Sequence, residues 1–111
     1  MRLHGRRAFQ GVFDAGVRKR AGPLTVFTLP NALGRARIGL SVSRRVGGAV
    51  LRHRIKRRLR EAFRLSQHDL PGAYDMVIVV YRHDVLPLGD YQQLLWQAVH
   101  ALDKTWQRKA K

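Results

Sequence analysis

The sequence predicts an α+β fold: one domain over residues 1–111 in the order α-β-β-β-α-β-α, a sandwich of helices packed on a four-stranded mixed sheet. Three observations predict it. A chain of 111 residues is a single domain with room for a modest core. Its 45% hydrophobic content separates it from disordered basic tails. Segments with apolar residues at helical spacing alternate with short β-branched or aromatic runs bounded by Gly and Pro.

The first helix is expected over residues 6–16, R-R-A-F-Q-G-V-F-D-A-G, where Phe9, Val12 and Phe13 share a face and Gly16 is placed to cap the C-terminus. Residues 17–20 form the weakest strand, stopped by Ala21-Gly22-Pro23. L-T-V-F-T-L at 24–29 is stronger, with Leu24, Val26 and Thr28 on one face and Thr25, Phe27 and Leu29 on the other. After a turn at 30–34, R-A-R-I-G-L-S-V-S places Ile38, Leu40 and Val42 on one face. The short loop between these two strands predicts that they pair antiparallel. A long helix from about residue 48 to residue 65 buries Leu51, Ile55, Leu59 and Ala62, with Phe63 at the edge. Arg58 falls near that stripe and is expected to snorkel. Leu70-Pro71-Gly72 separates the helix from Y-D-M-V-I-V-V-Y at 74–81, a near-continuous apolar run expected at the centre of the sheet. Pro87 and Gly89 introduce the last helix, with Asp90 as N-cap, Gln93 three residues on, and Tyr91, Leu94, Leu95, Ala98, Leu102 and Trp106 as its core stripe. The terminal R-K-A-K is expected to fray.

The formal net charge is +15, from 22 Lys and Arg against 7 Asp and Glu. Such self-repulsion points to a polyanion partner. The charge is concentrated: residues 35–64 hold eleven basic residues and only Glu61, for +10, and residues 1–20 hold six against Asp14, for +5. The other 61 residues balance five against five. Arg outnumbers Lys by 17 to 5, which favours planar, forked donors suited to phosphate and to stacking on bases. Arg52, Lys56, Arg60 and Arg64 form an i,i+4 ladder of one sign. A solvated helix face mixes signs, because like charges at this spacing cost helix stability, so the ladder favours a nucleic-acid face. The helix start near Gly48-Ala49 adds free backbone N–H groups beside Arg44 and Arg45. A membrane surface is the weaker reading, since the apolar side of this helix is needed for the core. The longest apolar run, residues 76–81, is too short to span a bilayer. With no cysteine, disulfides and thiolate chemistry are unavailable, and the cytoplasm is the expected location.

No catalytic constellation is visible, and no metal site is expected in the chain. The acids Asp14, Glu61, Asp69, Asp75, Asp84, Asp90 and Asp103 are scattered singly, and His4, His53, His68, His83 and His100 show no ligand spacing. A metal-free ribonuclease assembled from distant histidines stays open as an alternative. V-G-G-A is too short for a Walker-type phosphate loop. By composition Phe9, Phe13 and Phe27 read as core. Phe27, opposite Leu24 and Val26, is the best placed of the three for exposure, where a ring beside arginine can stack on a base of single-stranded RNA.

Residues 41–64, S-V-S-R-R-V-G-G-A-V-L-R-H-R-I-K-R-R-L-R-E-A-F-R, resemble the signature of the bacterial ribonuclease P protein component, G-L-S-V-S-K-K-x-G-N-A-V-x-R-N-R-I-K-R-x-x-R-E-x-F. F-Q-G-V-F-D-A-G at 9–16 is similar to the family's first-helix F-x-x-V-F-x-x-G, and L-T-V-F-T-L and Y-D-M-V-I-V-V to two of its strands, so the likeness spans nearly the whole chain. The resemblance implies a protein subunit paired with a large catalytic RNA, which removes the 5′ leader of precursor tRNA. Mg²⁺ would be held by the RNA and the substrate rather than by a protein site, with no further protein partner required. It implies RNA contacts at Arg44, Arg45, Arg52, His53, Arg54, Lys56, Arg57 and Arg60. It also implies leader-facing roles for Phe9, Phe13 and Phe27, the reverse of the composition reading. A left-handed crossover between the two parallel central strands is implied too, against the general right-handed rule. His53 stands where the family has Asn, and imidazole can donate and accept much as an amide does. Gly48 replaces another Asn and supplies no side-chain cap. Composition alone would fit a ribosomal or general RNA-binding protein as well.

Overall fold

A computed structural model of the chain describes residues 2–110. Its elements are α1 (Arg6–Ala15), β1 (Val17–Ala21), β2 (Leu24–Pro30), β3 (Arg37–Ser41), α2 (Ala49–Ser66), β4 (Tyr74–Val80) and α3 (Leu88–Ala110). The order is the expected one, with a single 3-10 turn, Arg44–Val46, added before α2.

The strands lie in the order β1-β2-β4-β3. β1 and β2 form a hairpin whose two-residue turn uses Gly22 at φ 56°, a conformation that glycine adopts without steric cost. β4 runs antiparallel to β2 and parallel to β3, and α2 carries the crossover between the parallel pair. The expected antiparallel pairing of β2 with β3 is therefore overturned, because β4 lies between them. A short loop favours adjacency, but two-sided burial outweighs it. β4 is buried continuously from Tyr74 to Ile78 and again at Val80, so it needs a strand on each side and a layer on each face. β3, with Arg37 in it and Arg35 just before, takes the edge.

On one face, α2 and α3 cover the sheet. Leu24, Val26, Ile38, Met76 and Ile78 pack there with Ile55, Leu59, Ala62, Phe63, Tyr91, Leu95 and Leu102. On the other face, α1 alone crosses the strands, and a smaller core of Leu3, Val12 and Val77 is edged by Phe9, Phe13, Phe27 and Leu29. Gly16 ends α1 as expected, yet in extended rather than left-handed conformation, at φ −80°, with its N–H donating to the Val12 carbonyl at 2.8 Å. Close approach makes glycine necessary here: an added Cβ would overlap the Val12 carbonyl oxygen and lie 2.7 Å from that of Thr28.

Two details of the helices differ from expectation. Arg58 does not snorkel to solvent; its Nη1 donates to the Leu86 carbonyl at 2.7 Å and pins the loop before α3. α3 starts at Leu88, so Asp90 sits in the first turn instead of capping it, and the Asp90 N–H reaches the Pro87 carbonyl at 3.1 Å. Its carboxylate there still complements the positive end of the helix dipole. α3 runs through Ala110, and Lys111, the last residue of the terminal R-K-A-K, lies outside the described residues. Side-chain anchors hold its last turns: Trp106 Nε1 donates to Thr28 Oγ1 at 3.0 Å, and the Tyr74 hydroxyl donates to Asp103 Oδ1 at 2.6 Å.

The loop between β2 and β3 is tied down by Asp75, whose carboxylate accepts from Arg37 Nε at 2.8 Å and Asn31 Nδ2 at 2.9 Å. The Arg37 hydrogen bond, helped by Asn31, holds the Asp75 carboxyl below its ordinary range against the opposing effect of burial. A depressed carboxylate pKa contributes stability above the unfolded-state value and loses it as pH falls through the folded value. Asp75→Asn is expected to cost about 1–2 kcal/mol at neutral pH. It should also flatten the acid limb of stability against pH, read by urea melts; an acid limb parallel to that of wild type would remove Asp75 as its source.

Candidate nucleic-acid interface

The apolar side of α2 is consumed by the core, with Ile55, Leu59 and Ala62 fully buried and Phe63 nearly so. No amphipathic face is left to lie on a bilayer, and no helix of the described residues is long and apolar enough to cross one. The basic residues must therefore line the flanks and the crest. His53, Arg54, Arg57 and Arg64 are exposed, while Arg52, Lys56 and Arg60 are half-buried. Arg44 and Arg45 are exposed on the 3-10 turn that leads into the helix. Gly48 occupies the N-cap without a side-chain bond, and Arg52 Nε instead donates to the Gly47 carbonyl at 3.2 Å. Among the described residues, Arg52, Lys56 and Arg60 have no carboxylate partner, whereas Arg64 is paired with Glu61, Nε to Oε2 at 3.1 Å.

The basic surface divides into two flanks. Arg54 and Arg57 turn toward the start of α3 and, with Arg58, Glu61 and Leu88, line a concavity of about 420 Å³. Arg60 and Arg64 turn the other way and share about 320 Å³ with Arg2, Ile38, Phe63 and Gln67. Arg2 arrives there because the N-terminal segment runs alongside β3: Arg2 bridges to Ile38, and the Leu3 N–H donates to the Ile38 carbonyl at 2.8 Å. Burial first, and the Arg2 charge second, push the Arg60 pKa down from its ordinary value. An anion placed between these guanidinium groups would relieve that crowding.

The opposite face of the sheet carries a trough. Register puts Arg18, Phe27, Val77 and Gly39 in one row across the strands, and Arg20, Thr25, Val79 and Ser41 in the next. α1 covers the first row. Phe9 lies so close over Gly39 that an added Cβ would be 2.8 Å from its Cε1, and Phe13 packs edge-on against Phe27 with centroids 4.9 Å apart. Val77 is completely buried beneath it, whereas Val79 and Ser41 in the next row are only half-buried. The part of that row left partly open, Val79 and Ser41, is the floor of the trough and α1 its wall, while Thr25 in the same row is buried. At the β3 end the chain passes within three residues from Ser41 to Arg44, so the trough opens beside the basic turn. Phe9, Phe13 and Phe27 are each half-buried, neither sealed core nor free platform.

Sequence reasoning singled out neither Arg2, Arg20 nor Tyr81 as site residues. The two arginines belong to the N-terminal basic block, which was the only signal available. Tyr81 has none, because its neighbours come from other strands: Thr25 Oγ1 donates to its hydroxyl at 3.1 Å, and the Arg20 guanidinium stands 4.1 Å from its ring centroid. No group of three His, Asp or Glu side chains able to hold a metal ion occurs among the described residues. His83 bridges the Tyr81 carbonyl at 2.8 Å and the Tyr91 hydroxyl at 2.7 Å, and His100 stacks on Trp96 at 4.0 Å between centroids.

Known proteins share this fold. The family model described as Ribonuclease P matches residues 1–106. The ribonuclease P protein component of Desulfovibrio desulfuricans is 42% identical over 96 residues, covering 85% of this chain and 74% of that protein. That of Photorhabdus laumondii is 40% identical over 109 residues, covering 97% and 86%. Among solved structures, the RNase P protein of Staphylococcus aureus superposes with a TM-score of 0.78 at 28% identity, over 93% of this chain and 94% of that one. The Thermotoga maritima RNase P protein in complex with 1-(4-fluorophenyl)-2-thiourea gives a TM-score of 0.78 at 26% identity, over 91% and 96%. With a family match through almost its whole length and the same fold at that coverage, the chain belongs to the ribonuclease P protein family, the accessory protein subunits of the endoribonuclease of tRNA processing.

Proposed function

We propose that the chain docks on the catalytic RNA of ribonuclease P through the α2 face and holds the 5′ leader of precursor tRNA in the trough between α1 and the sheet. The observation that carries this reading is the juxtaposition of a cationic surface without carboxylate partners among the described residues, from Arg44 and Arg45 through Arg52, Lys56 and Arg60, with a trough edged by half-buried aromatic rings. Three effects follow. Arginine and lysine neutralise phosphates and release counterions. Rings of Phe9, Phe13 and Phe27 give single-stranded bases surfaces to stack on. Holding both nucleic acids at once favours the RNA conformation that cleaves. Arg54 and Arg57 serve the second flank, and His53, exposed on the crest, offers a ring nitrogen to a phosphate or a ribose.

Mg²⁺ does not fit this surface as a protein-bound ion, because its donors are guanidinium and ammonium groups where a divalent cation needs oxygen ligands. The ions belong to the RNA and the substrate. The subunit works in the cytoplasm and needs no other protein.

Reconstitution with the cognate RNA tests the whole reading. Cleavage of precursor tRNA at low Mg²⁺ should depend on the chain, and cleavage indifferent to it would sink the assignment. Phe13→Ala in the reconstituted enzyme is expected to weaken binding of leader-bearing precursor about tenfold and leave mature tRNA unaffected. An equal loss for both RNAs would make Phe13 a purely structural residue.

A further inference from the structure

A third cationic patch lies in the part of the chain whose charges balance. Residues 65–102 carry Arg82 against Asp69, Asp75, Asp84 and Asp90, for −3, and residues 103–111 carry Lys104, Arg108, Lys109 and Lys111 against Asp103, for +3. The balance is therefore a separation of charge, with the basic part confined to the end of the chain. We infer that the outer side of α3, from Trp96 through His100 and Lys104 to Arg108, is a second surface for single-stranded RNA, separate from both the α2 face and the trough.

These four residues succeed one another at i,i+4 steps, so they share one side of the helix over about 18 Å. The other side rests on the core through Leu95, Val99 and Leu102, and the bonds of Trp106 to Thr28 and of Tyr74 to Asp103 hold it there. Trp96 is nevertheless 50% exposed. Its indole is braced: His100 stacks on it with the planes 31° apart, and His100 Nδ1 donates to the Trp96 carbonyl at 2.8 Å. Lys104 and Arg108 are exposed, and Arg108 Nε donates to the Lys104 carbonyl at 3.4 Å. Neither cation has a carboxylate partner among the described residues. Asp103, the one acid at this end, is engaged by the Tyr74 hydroxyl and by Gln107 Nε2, the latter at 2.8 Å. The helix dipole favours cations in the last turn, but it gives no reason for an indole held half open against a second ring.

Charge and ring together select the ligand. A row of unneutralised cations attracts a polyanion, and an exposed, oriented indole adds a surface on which a base can stack. Duplex RNA keeps its bases closed to side chains, so the ring requires an unpaired strand. A base on Trp96 sets the neighbouring phosphates along Lys104 and Arg108. RNA on the basic residues of α2 does not account for this row. α2 and α3 run side by side in the same sense, Arg58 meeting Leu86 and Ser66 meeting Gln92. Ser66 is the last residue of α2, so the row from Trp96 onward lies past the end of that helix. The trough is on the other face of the sheet, beside α1.

Photocrosslinking reads the surface directly. Holoenzyme reconstituted on the cognate RNA, which occupies the α2 face, is titrated with a short oligouridylate carrying iodouridine and irradiated, and the adducts are mapped by peptide. An adduct at Trp96 is expected. Trp96→Ala should remove it, and Trp96→Phe should keep it, because a benzene ring still stacks. Lys104→Ala and Arg108→Ala combined should raise the oligonucleotide concentration for half-maximal adduct about tenfold near physiological salt, and make its log–log salt dependence shallower by about 1.4. Binding of the catalytic RNA should be unchanged in each variant, and so should the melting temperature, since the side chains removed are exposed. Adducts confined to the aromatic residues of the trough overturn the inference, as does a Trp96 adduct whose half-maximal concentration is the same in the double variant. Self-association that Trp96→Ala abolishes, with no adduct at Trp96, overturns it as well and makes this side of α3 a contact between two copies of the chain.

Discussion

Arg52→Ala, Lys56→Ala and Arg60→Ala combined are expected to weaken binding of the catalytic RNA about a hundredfold near physiological salt, and to make the log–log salt dependence shallower by about 2–3. Each of these cations projects from one flank of α2, and none has a carboxylate partner among the described residues, so each is available to a phosphate. Arg64 completes the ladder in sequence but is already engaged by Glu61, which is why it is left out. The folded state should change little in the triple variant. It removes like charges at i,i+4 spacing and deletes no fully buried group, which offsets the loss of the Arg52 hydrogen bond to the Gly47 carbonyl, so the melting temperature should stay within a few degrees of wild type. That separates an interface effect from a folding effect. Filter binding or fluorescence titration across a salt series gives the slope, with Lys104→Ala on the outer side of α3 as the control expected to change little. A triple variant with the wild-type slope would take this flank off the RNA and leave Arg54 and Arg57, on the other flank, as the pair to examine.

Gly16→Ala is expected to lower stability by about 3 kcal/mol, at the upper end for overpacking. For a domain of this size that is roughly a 10–20 °C fall in Tm. The new methyl would collide with two backbone carbonyl oxygens, one at the end of α1 and one in β2, and neither can swing aside as a side chain can. Relief requires α1 to lift from the sheet, which opens the Phe13–Phe27 contact and moves one wall of the trough. α2 is anchored independently on the opposite face by Ile55, Leu59 and Phe63. The variant should therefore lose leader-dependent affinity while its salt-dependent binding to the catalytic RNA persists below the melting range. Calorimetry and the leader comparison check the two halves; a Tm within a few degrees of wild type would show that α1 does not seat on β2 as closely as described.

Much of the candidate site's placement was legible because it is local. The stripe of Leu51, Ile55, Leu59 and Ala62 and the ladder of Arg52, Lys56 and Arg60 both follow from helical periodicity alone, and the structure puts the stripe against the sheet and the ladder outside it. The apolar run of β4 likewise announced a central strand. The aromatic trio was legible as residues but not in exposure, since Phe9, Phe13 and Phe27 each spend part of their surface on packing and keep part open. Family membership came from the ordered motif at 41–64 and the matching first helix, which no composition or charge count could have supplied.

What the sequence determined by itself, then, is the order of the elements, the apolar face of each, and a helix whose charges are nearly all positive. Those are short-range properties, set by the 3.6- and 2-residue periods and by which side chains water rejects. Tertiary structure decided the rest. It inserted β4 between β2 and β3, because burial on two faces outweighs the preference of a short loop. It split one predicted basic stripe into two flanks and brought Arg2 to Arg60 across the edge of β3. It made Gly16 a point of contact where the sequence suggested only a cap, and it set Arg20 over Tyr81, 61 positions along the chain. Each depends on strand register and layer packing, which arise from contacts between residues far apart in sequence and leave no periodic trace in it.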